Sequence, residues 1–171
     1  MPTNPLYLLR VNARELLRQP GTDRSITVEL APGDLGIDDA RITGDIAVDL
    51  VATSNIDGIV VSGEVAMPWR APCRRCLTDV RGTAGVEVDE LYQDDVSDED
   101  AYAIEGDQID LAPAVREYVL LELPDDPLCR DDCAGICPVC GIDRNTASCE
   151  CDTSVRDERW AALDDLRLDD S

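Results

Sequence analysis

Eight cysteines constrain the fold of this 171-residue chain more than any other feature. Six of them fall within 23 residues, from Cys129 to Cys151, and the other two form a C-R-R-C pair, Cys73 and Cys76. Residues 1–18 contain no apolar block ahead of a small-residue cleavage site, so we expect no secretory signal and a reducing, cytoplasmic location. Clustered thiols in such a compartment are more often metal ligands than disulfides.

The segment C-P-V-C-G, from Cys137 to Gly141, is the most specific part of the cluster. Two thiolates three residues apart around a tight turn can bind one ion, and the glycine permits the backbone angles of that turn. The chain has no histidine, so a four-coordinate site would be all-cysteine, which favours structural zinc over catalytic zinc. A rubredoxin-type iron site and disulfides or free thiols are the alternatives.

The candidate metal ligands are all eight cysteines: Cys73, Cys76, Cys129, Cys133, Cys137, Cys140, Cys149 and Cys151. Cys137 and Cys140 are the strongest pair, and either the pair before them or the pair after them could complete one site. Eight thiols also allow two separate sites, in which the C-R-R-C pair takes two of the C-terminal cysteines. An unmetallated pair at a loop is the alternative for C-R-R-C.

Three runs of alternating apolar residues predict an antiparallel sheet with one buried face. The runs begin at Ile42, Ile59 and Val80, a further strand is expected over 25–30, and C-R-R-C lies between the second and third runs. The third run changes phase at Leu91, which predicts a bulge. The sheet is expected to be a meander, with closure toward a barrel left open.

Three helices are expected around this sheet. They span about 12–18 with Asn12 as N-cap, about 111–121 with Asp110 as cap, and about 155–166. The predicted fold class is therefore α+β, an antiparallel sheet with a few helices and a C-terminal cysteine-rich zinc knuckle. Three parts are expected. Residues 1–124 form a sheet domain with an acidic mobile loop at about 93–108. Residues 125–152 form a metal-binding segment, and residues 153–171 form a final helix with an acidic tail.

The chain carries 37 acidic and 15 basic residues, and its formal charge of −22 repels phosphate at long range. One basic island stands out, made of Arg70, Arg74, Arg75 and Arg81 beside Trp69. Arginine can bind phosphate and stack on bases, which makes this island a candidate RNA or partner contact. The alternative is that these arginines pair with neighbouring carboxylates in solvent. Trp69 shares the apolar phase of its strand, so we expect it to pack in the core.

No catalytic arrangement is recognisable in the sequence. It lacks histidine, a nucleophile with an evident partner, a phosphate-binding loop and a dinucleotide fingerprint. We therefore expect a protein that is not an enzyme. No apolar run is long enough to span a membrane, so no membrane partner is expected.

Several of these motifs together resemble the YceD family of large ribosomal RNA subunit accumulation proteins. In order, they are C-R-R-C-L-T-D-V, the helix from Ile109 to Pro124, the stretch from Pro127 to Gly141, and the closing C-E-C at Cys149. The resemblance covers about residues 40–152. It implies a non-catalytic protein needed for processing or accumulation of large-subunit ribosomal RNA, and it assigns the family's C-x-x-C to Cys73 and Cys76. One departure is 142–145, where many relatives carry an Asn-Leu-Asn stretch.

Three functional hypotheses follow. The first is a ribosome-assembly factor with structural zinc, whose partner is large-subunit rRNA, a pre-ribosomal particle or a ribosomal protein. The second is an acidic module that escorts a basic ribosomal protein without touching RNA. The third is a rubredoxin-like redox protein.

Overall fold

The computed structural model of the protein describes residues 5–96, 101–153 and 159. Within them lie seven strands: β1 (Arg10–Asn12), β2 (Asp23–Leu30), β3 (Ile46–Ser54), β4 (Ile59–Pro72), β5 (Asp79–Gln93), β6 (Tyr102–Ala103) and β7 (Gln108–Asp110). The helices are α1 (Ala13–Leu17), α2 (Ala112–Glu122) and two 3-10 helices, Pro5–Leu9 and Pro32–Leu35. The predicted α+β class with a mainly antiparallel sheet is confirmed.

The main sheet has the strand order β2-β3-β4-β5-β6. Strands β2 to β5 form the predicted antiparallel meander, and β6 adds a short parallel pairing to β5 that the sequence did not predict. The described sheet is open, with β2 and β6 as its edge strands, so the possibility of a closed barrel is not realised. A separate two-stranded ribbon joins β1 to β7.

The third apolar run contains no bulge, contrary to the prediction. The register between β4 and β5 is unbroken from the Ile59–Tyr92 pair to the Pro72–Asp79 pair. Tyr92 keeps the inward phase of the strand and is 2% exposed, whereas Leu91 lies partly exposed on the opposite face. Leu91 is an apolar residue on the outer face of β5, and in the sequence such a residue looks like a change of phase.

Two of the three predicted helices lie in the described part of the chain. α1 begins after Asn12, whose Oδ1 accepts a hydrogen bond from the Glu15 N–H at 3.1 Å, as expected of an N-cap. α2 begins one residue later than predicted, and the Asp110 carboxylate accepts a bond from the Ala112 N–H at 3.0 Å. The third helix, about 155–166, falls outside the described residues.

The predicted acidic loop at about 93–108 is described only in part, because 97–100 lie outside the described residues. Within the described part, β6 pairs with the end of β5, and Tyr102 stacks on Tyr92 with ring centroids 5.2 Å apart. Whether this loop is mobile stays a prediction.

One face of the sheet packs against α1, α2 and the 3-10 helices. Its alternating residues are almost fully buried, among them Ile46, Leu50, Ile59 and Val65. Trp69 is half-buried against the same core, as expected from its phase. This burial fixes the register of the strands, because a shift by one residue would turn the apolar set toward solvent.

The β4–β5 hairpin is longer than its neighbour β3, whose pairing with β4 stops at Ala66. Residues 41–43 continue the backbone contact along β4 as far as Arg70, so only the tip of the hairpin, with C-R-R-C, projects beyond the sheet. After α2, the chain returns to this tip. A second, smaller cluster forms there, with Cys73, Cys76 and Cys133 buried against Val80, Leu128 and Ile136.

Candidate metal centres

Four thiols meet at the tip of the hairpin, and we call them the first centre: Cys73, Cys76, Cys129 and Cys133. Their sulfur atoms all lie within 4.8 Å of one another. Two of the separations are short, 3.9 Å between Cys73 Sγ and Cys133 Sγ and 3.6 Å between Cys76 Sγ and Cys129 Sγ.

These distances fit a metal better than a disulfide. A disulfide bond is only about 2.05 Å long. Four sulfurs placed about 2.3 Å from a tetrahedral zinc ion are separated by about 3.8 Å, close to both measured values. The first centre can therefore hold a tetrahedral metal ion.

The other four thiols form a second centre further along the chain: Cys137, Cys140, Cys149 and Cys151. Their sulfurs also lie within 4.8 Å of one another. Of the arrangements that the sequence allowed, the structure brings the thiols together as two groups of four. The C-R-R-C pair joins the first pair of the C-terminal cluster, and the C-P-V-C pair joins the last.

The two C-x-x-C turns share one backbone conformation. The Leu77 N–H donates to the Cys73 carbonyl at 2.9 Å, and the Gly141 N–H donates to the Cys137 carbonyl at 2.8 Å. Leu77 has φ of 62° and Gly141 has φ of 74°, so both are left-handed. Sequence reasoning recognised Gly141 and missed Leu77, although both directly follow the second cysteine of their pair.

Backbone N–H groups in each turn favour a thiolate on its first cysteine. Burial works against ionisation of Cys73, yet the N–H groups of Cys76 and Arg75 outweigh it and lower the pKa of this thiol to about 6. In the second centre, the N–H groups of Cys140 and the preceding residue lower the pKa of Cys137 to about 6. Deprotonated sulfur is the form that binds metal.

Contacts with neighbouring sulfurs raise the pKa of one thiol in each centre, Cys129 in the first and Cys151 in the second. A hydrogen bond to the Cys133 sulfur raises the pKa of Cys129 to about 12. In the second centre, a hydrogen bond to Cys140 raises the pKa of Cys151 to about 12. A divalent cation bound to four thiolates would displace the protons that raised-pKa thiols such as these carry without metal.

The first centre connects parts of the chain that are distant in sequence. The Arg74 N–H donates to the Pro127 carbonyl at 2.9 Å, and the Ile136 N–H donates to the Arg75 carbonyl at 3.0 Å. The Arg75 guanidinium donates to the Cys133 carbonyl at 3.0 Å. The cysteine-rich segment is therefore docked on the hairpin tip by backbone bonds as well as by sulfur.

Asn145 supports the first centre from the turn that follows the C-P-V-C pair. Its Nδ2 lies 3.4 Å from Cys133 Sγ, and its Oδ1 accepts bonds from the Ala134 N–H and the Arg130 guanidinium, both at 2.8 Å. A donor aimed at a ligand sulfur stabilises its thiolate. The sequence offered no signal for this contact, because it depends on a turn between the two centres.

The four arginines predicted as an RNA or partner contact all lie at or near the hairpin tip, and three are engaged within the protein. Arg70 pairs with Asp79 at 2.6 Å, Arg74 pairs with Asp126 at 3.1 Å, and Arg75 binds backbone carbonyls. For Arg81, the described residues provide no ion-pair partner. Its side chain is exposed opposite Arg70 across the hairpin, on the other face of the strands from Trp69. The binding role of this island stays a prediction.

None of the helices in the described ranges has the length and apolar character needed to cross a lipid bilayer.

A family model matches the cysteine-rich half of this chain. The model of the family described as "Large ribosomal RNA subunit accumulation protein YceD" matches residues 61–167, a range that includes both centres. An uncharacterized protein of Mycobacterium tuberculosis is 33% identical over 166 residues, which cover 91% of this chain and 79% of that protein. The uncharacterized protein YlbN of Bacillus subtilis is 35% identical over 115 residues, 64% of each chain.

A plant protein matches a shorter part. The chloroplastic "Large ribosomal RNA subunit accumulation protein YCED homolog 1" of Arabidopsis thaliana is 32% identical over 60 residues, 35% of this chain and 19% of that protein. No solved structure matches the fold of this chain.

Proposed function

The chain belongs to the YceD family, and from that premise we propose that it is a non-catalytic factor that supports processing and accumulation of large-subunit ribosomal RNA during ribosome assembly in the cytoplasm. The observation that carries this proposal is the family match over 61–167, which spans the β4–β5 hairpin, α2 and all eight cysteines. A ribosome-related role agrees with the name of the family and of its chloroplast member.

We further propose that each centre holds one structural zinc ion. The support is an all-sulfur donor set, sulfur separations of 3.6 and 3.9 Å in the first centre, and backbone N–H groups directed at the first cysteine of each turn. A centre with four protein ligands has no open position for a substrate, so its role is to fix the fold. Zinc would thus hold the cysteine-rich segment against the hairpin.

The basic island at the first centre is the proposed contact with rRNA or a pre-ribosomal particle. Arg81 and Arg70 face each other across the outer side of the hairpin, whereas the half-buried Trp69 lies on its inner side. Metal binding would fix the tip on which these arginines stand, because the C-R-R-C turn is part of the first centre. This links the structural role of zinc to the proposed contact.

The function is tested by complementation. A strain lacking this protein is expected to accumulate less large-subunit rRNA than small-subunit rRNA, and the wild-type gene should restore the ratio. The Arg70→Glu, Arg81→Glu variant should fail to restore it and should leave the pre-ribosomal fraction in sedimentation. The matched control, Arg14→Glu, Arg24→Glu, has the same net charge as the first variant and should behave as wild type. An unchanged rRNA ratio in the deletion strain would refute the proposed function.

The metal is tested on the purified protein. Native mass spectrometry should give two zinc ions per chain, and the protein should be colourless. A red protein containing iron would overturn the zinc proposal in favour of the rubredoxin-like alternative. A folded chain without metal would overturn both.

A further inference from the structure

The sheet has a second face that no described part of the chain covers. In β2 to β5 the buried residues alternate with residues that point to the other side, and these outward residues are exposed or partly exposed except for Gln93 at the end of β5, which is buried. A sheet with one solvated face is common in antiparallel folds. What distinguishes this one is the charge on that face.

Five exposed carboxylates occupy the centre of the outward side, and we call this surface the acidic face: Glu29, Asp49, Glu64, Glu87 and Asp89. The register places three of them side by side, because Asp49 is the partner of Glu64 and Glu64 is the partner of Glu87. Neighbouring strands are about 4.8 Å apart, so three negative charges follow one another across three strands.

This row of charges is unfavourable in the isolated protein. Like charges on directly opposed residues of neighbouring strands destabilise a sheet. In the described part of the chain, none of the five carboxylates takes part in an ion pair; Asp49 Oδ1 accepts a bond from the Thr27 hydroxyl at 3.1 Å, which leaves its charge in place. The only arginines at outward positions, Arg70 and Arg81, lie at the far end of the hairpin, beyond β3.

The surface between the carboxylates is shallow and open. Small residues separate them, with Ala47 opposite Ala66 and Ala66 opposite Gly85. Two shallow grooves run over these positions, one along β2 to β4 and the other along β4 and β5. An extended chain can lie on such a surface without displacing large side chains, and its cations would meet the row of carboxylates.

We infer that the acidic face is the docking surface for an arginine- and lysine-rich segment of a partner protein. Charge complementarity selects this occupant, since the face repels both nucleic acid and a second copy of itself. Identifying the partner as a ribosomal protein rests on the proposed function; the binding of a basic polypeptide does not. The basic island and the acidic face lie at different ends of the sheet, so the protein can contact RNA and a basic protein together.

The test compares two variants with the same net charge. Asp49→Asn, Glu64→Gln, Glu87→Gln neutralises the central row of the acidic face. The control, Asp38→Asn, Asp95→Asn, Glu122→Gln, neutralises three exposed carboxylates elsewhere. Both change the formal charge from −22 to −19, because three carboxylates become amides. Amides keep the shape of the side chains, and circular dichroism checks that both variants fold.

The probe is a fluorescein-labelled peptide in which arginine and threonine alternate, titrated at about 0.1 M salt, where exposed charges act over about 10 Å. We expect the face variant to bind it at least about tenfold more weakly than wild type, and the control to stay within about twofold, since nearby charges dominate a screened interaction. Equal losses in both variants would overturn the inference, because they would show attraction to the whole molecule.

A single-stranded RNA of matched length provides the second arm. The inference expects that it does not compete with the peptide for wild-type protein. Competition that disappears in the face variant would assign the face to RNA and overturn the inference. Failure of the peptide to bind wild-type protein would also overturn the inference. That result would not bear on the rRNA ratio of the deletion strain, so the inference and the proposed function can fail independently.

Discussion

Leu77 and Gly141 occupy the same position in two equivalent turns, directly after the second cysteine of a C-x-x-C pair. Both residues have positive φ and donate to the carbonyl of the first cysteine. Glycine adopts this conformation readily, whereas a branched side chain in the left-handed region costs roughly 1–2 kcal/mol. The turn of the first centre therefore contains a strained residue that the turn of the second centre avoids.

Replacing Leu77 by glycine should strengthen the first centre. We expect Leu77→Gly to raise the free energy of unfolding by roughly 0.5 kcal/mol, because relief of the left-handed strain exceeds the larger backbone entropy of glycine in the unfolded chain. Gly141→Ala should lower it by about 1 kcal/mol or more, since its φ of 74° is unfavourable for alanine even though the surrounding space is open. Thermal denaturation of the metal-loaded protein measures both changes.

Leu77→Ala is the matched control for the first substitution. It removes most of the same side chain, which is 61% exposed, but keeps a Cβ in the left-handed conformation. A gain in stability as large as that of Leu77→Gly would show that the exposed side chain, and not the backbone angle, is responsible.

At the scale of elements, α2 is attached to the sheet by a polar contact within a largely apolar interface. The Tyr118 hydroxyl donates to Glu90 Oε1 on β5 at 2.5 Å. Burial, followed by this bond and the charge of Glu90, raises the pKa of Tyr118 to about 12. Because the folded pKa lies above the value of about 10 in the unfolded chain, the contribution to stability is complete below pH 10 and is lost as pH rises through about 12.

Tyr118→Phe should therefore destabilise the protein in a pH-dependent way. We expect a loss of about 1–2 kcal/mol near pH 8, since a hydrogen bond to a charged group is removed, and a smaller difference from wild type as pH rises above 10. Urea denaturation at several pH values measures this difference. Tyr7→Phe, at a residue that is 57% exposed, is the control. A difference that stays constant from pH 8 to the alkaline limit would rule out the Glu90 contact as its cause.

The sequence predicted elements whose cause is local and missed those whose cause lies elsewhere in the chain. Alternation of apolar residues around Ile46, Ile59 and Ala84 locates three strands, and Asn12 caps its helix through its own side chain. The parallel pairing of β6 and the β1–β7 ribbon are set by tertiary contacts and carry no local signal. Likewise, the type of metal ligand could be predicted from spacing, but the partners of C-R-R-C depend on where α2 returns the chain.

At the scale of the whole molecule, the two centres connect very different lengths of chain. The first brings Cys73 and Cys76 together with Cys129 and Cys133, across β5 and α2. The second closes only the stretch 137–151. A cross-link that closes a longer loop removes more conformational entropy from the unfolded chain, so the first centre should contribute more to the stability of the whole fold.

Loss of each centre should therefore have a distinct effect. Cys73→Ser, Cys76→Ser should free the cysteine-rich segment from the hairpin, so that amide exchange at Arg74 and Ile136, whose N–H groups bridge the two parts, becomes fast. Cys149→Ser, Cys151→Ser removes the same number of thiols and should leave both amides protected. Hydrogen exchange with mass spectrometry distinguishes the two variants. Equal exchange in both would mean that the first centre does not hold the segment in place.

The long span of the first centre also determines how the protein would respond to cleavage of its backbone. With a metal ion bound to the four sulfurs, a protease nick anywhere between Asp79 and Asp126 leaves two pieces that the same ion still joins, with two cysteines on each side of the cut. The two fragments would migrate together in a native gel, and they would separate only after the metal had been removed from the thiols. The bound metal would thus keep the two fragments associated after the peptide bond between them has been cleaved.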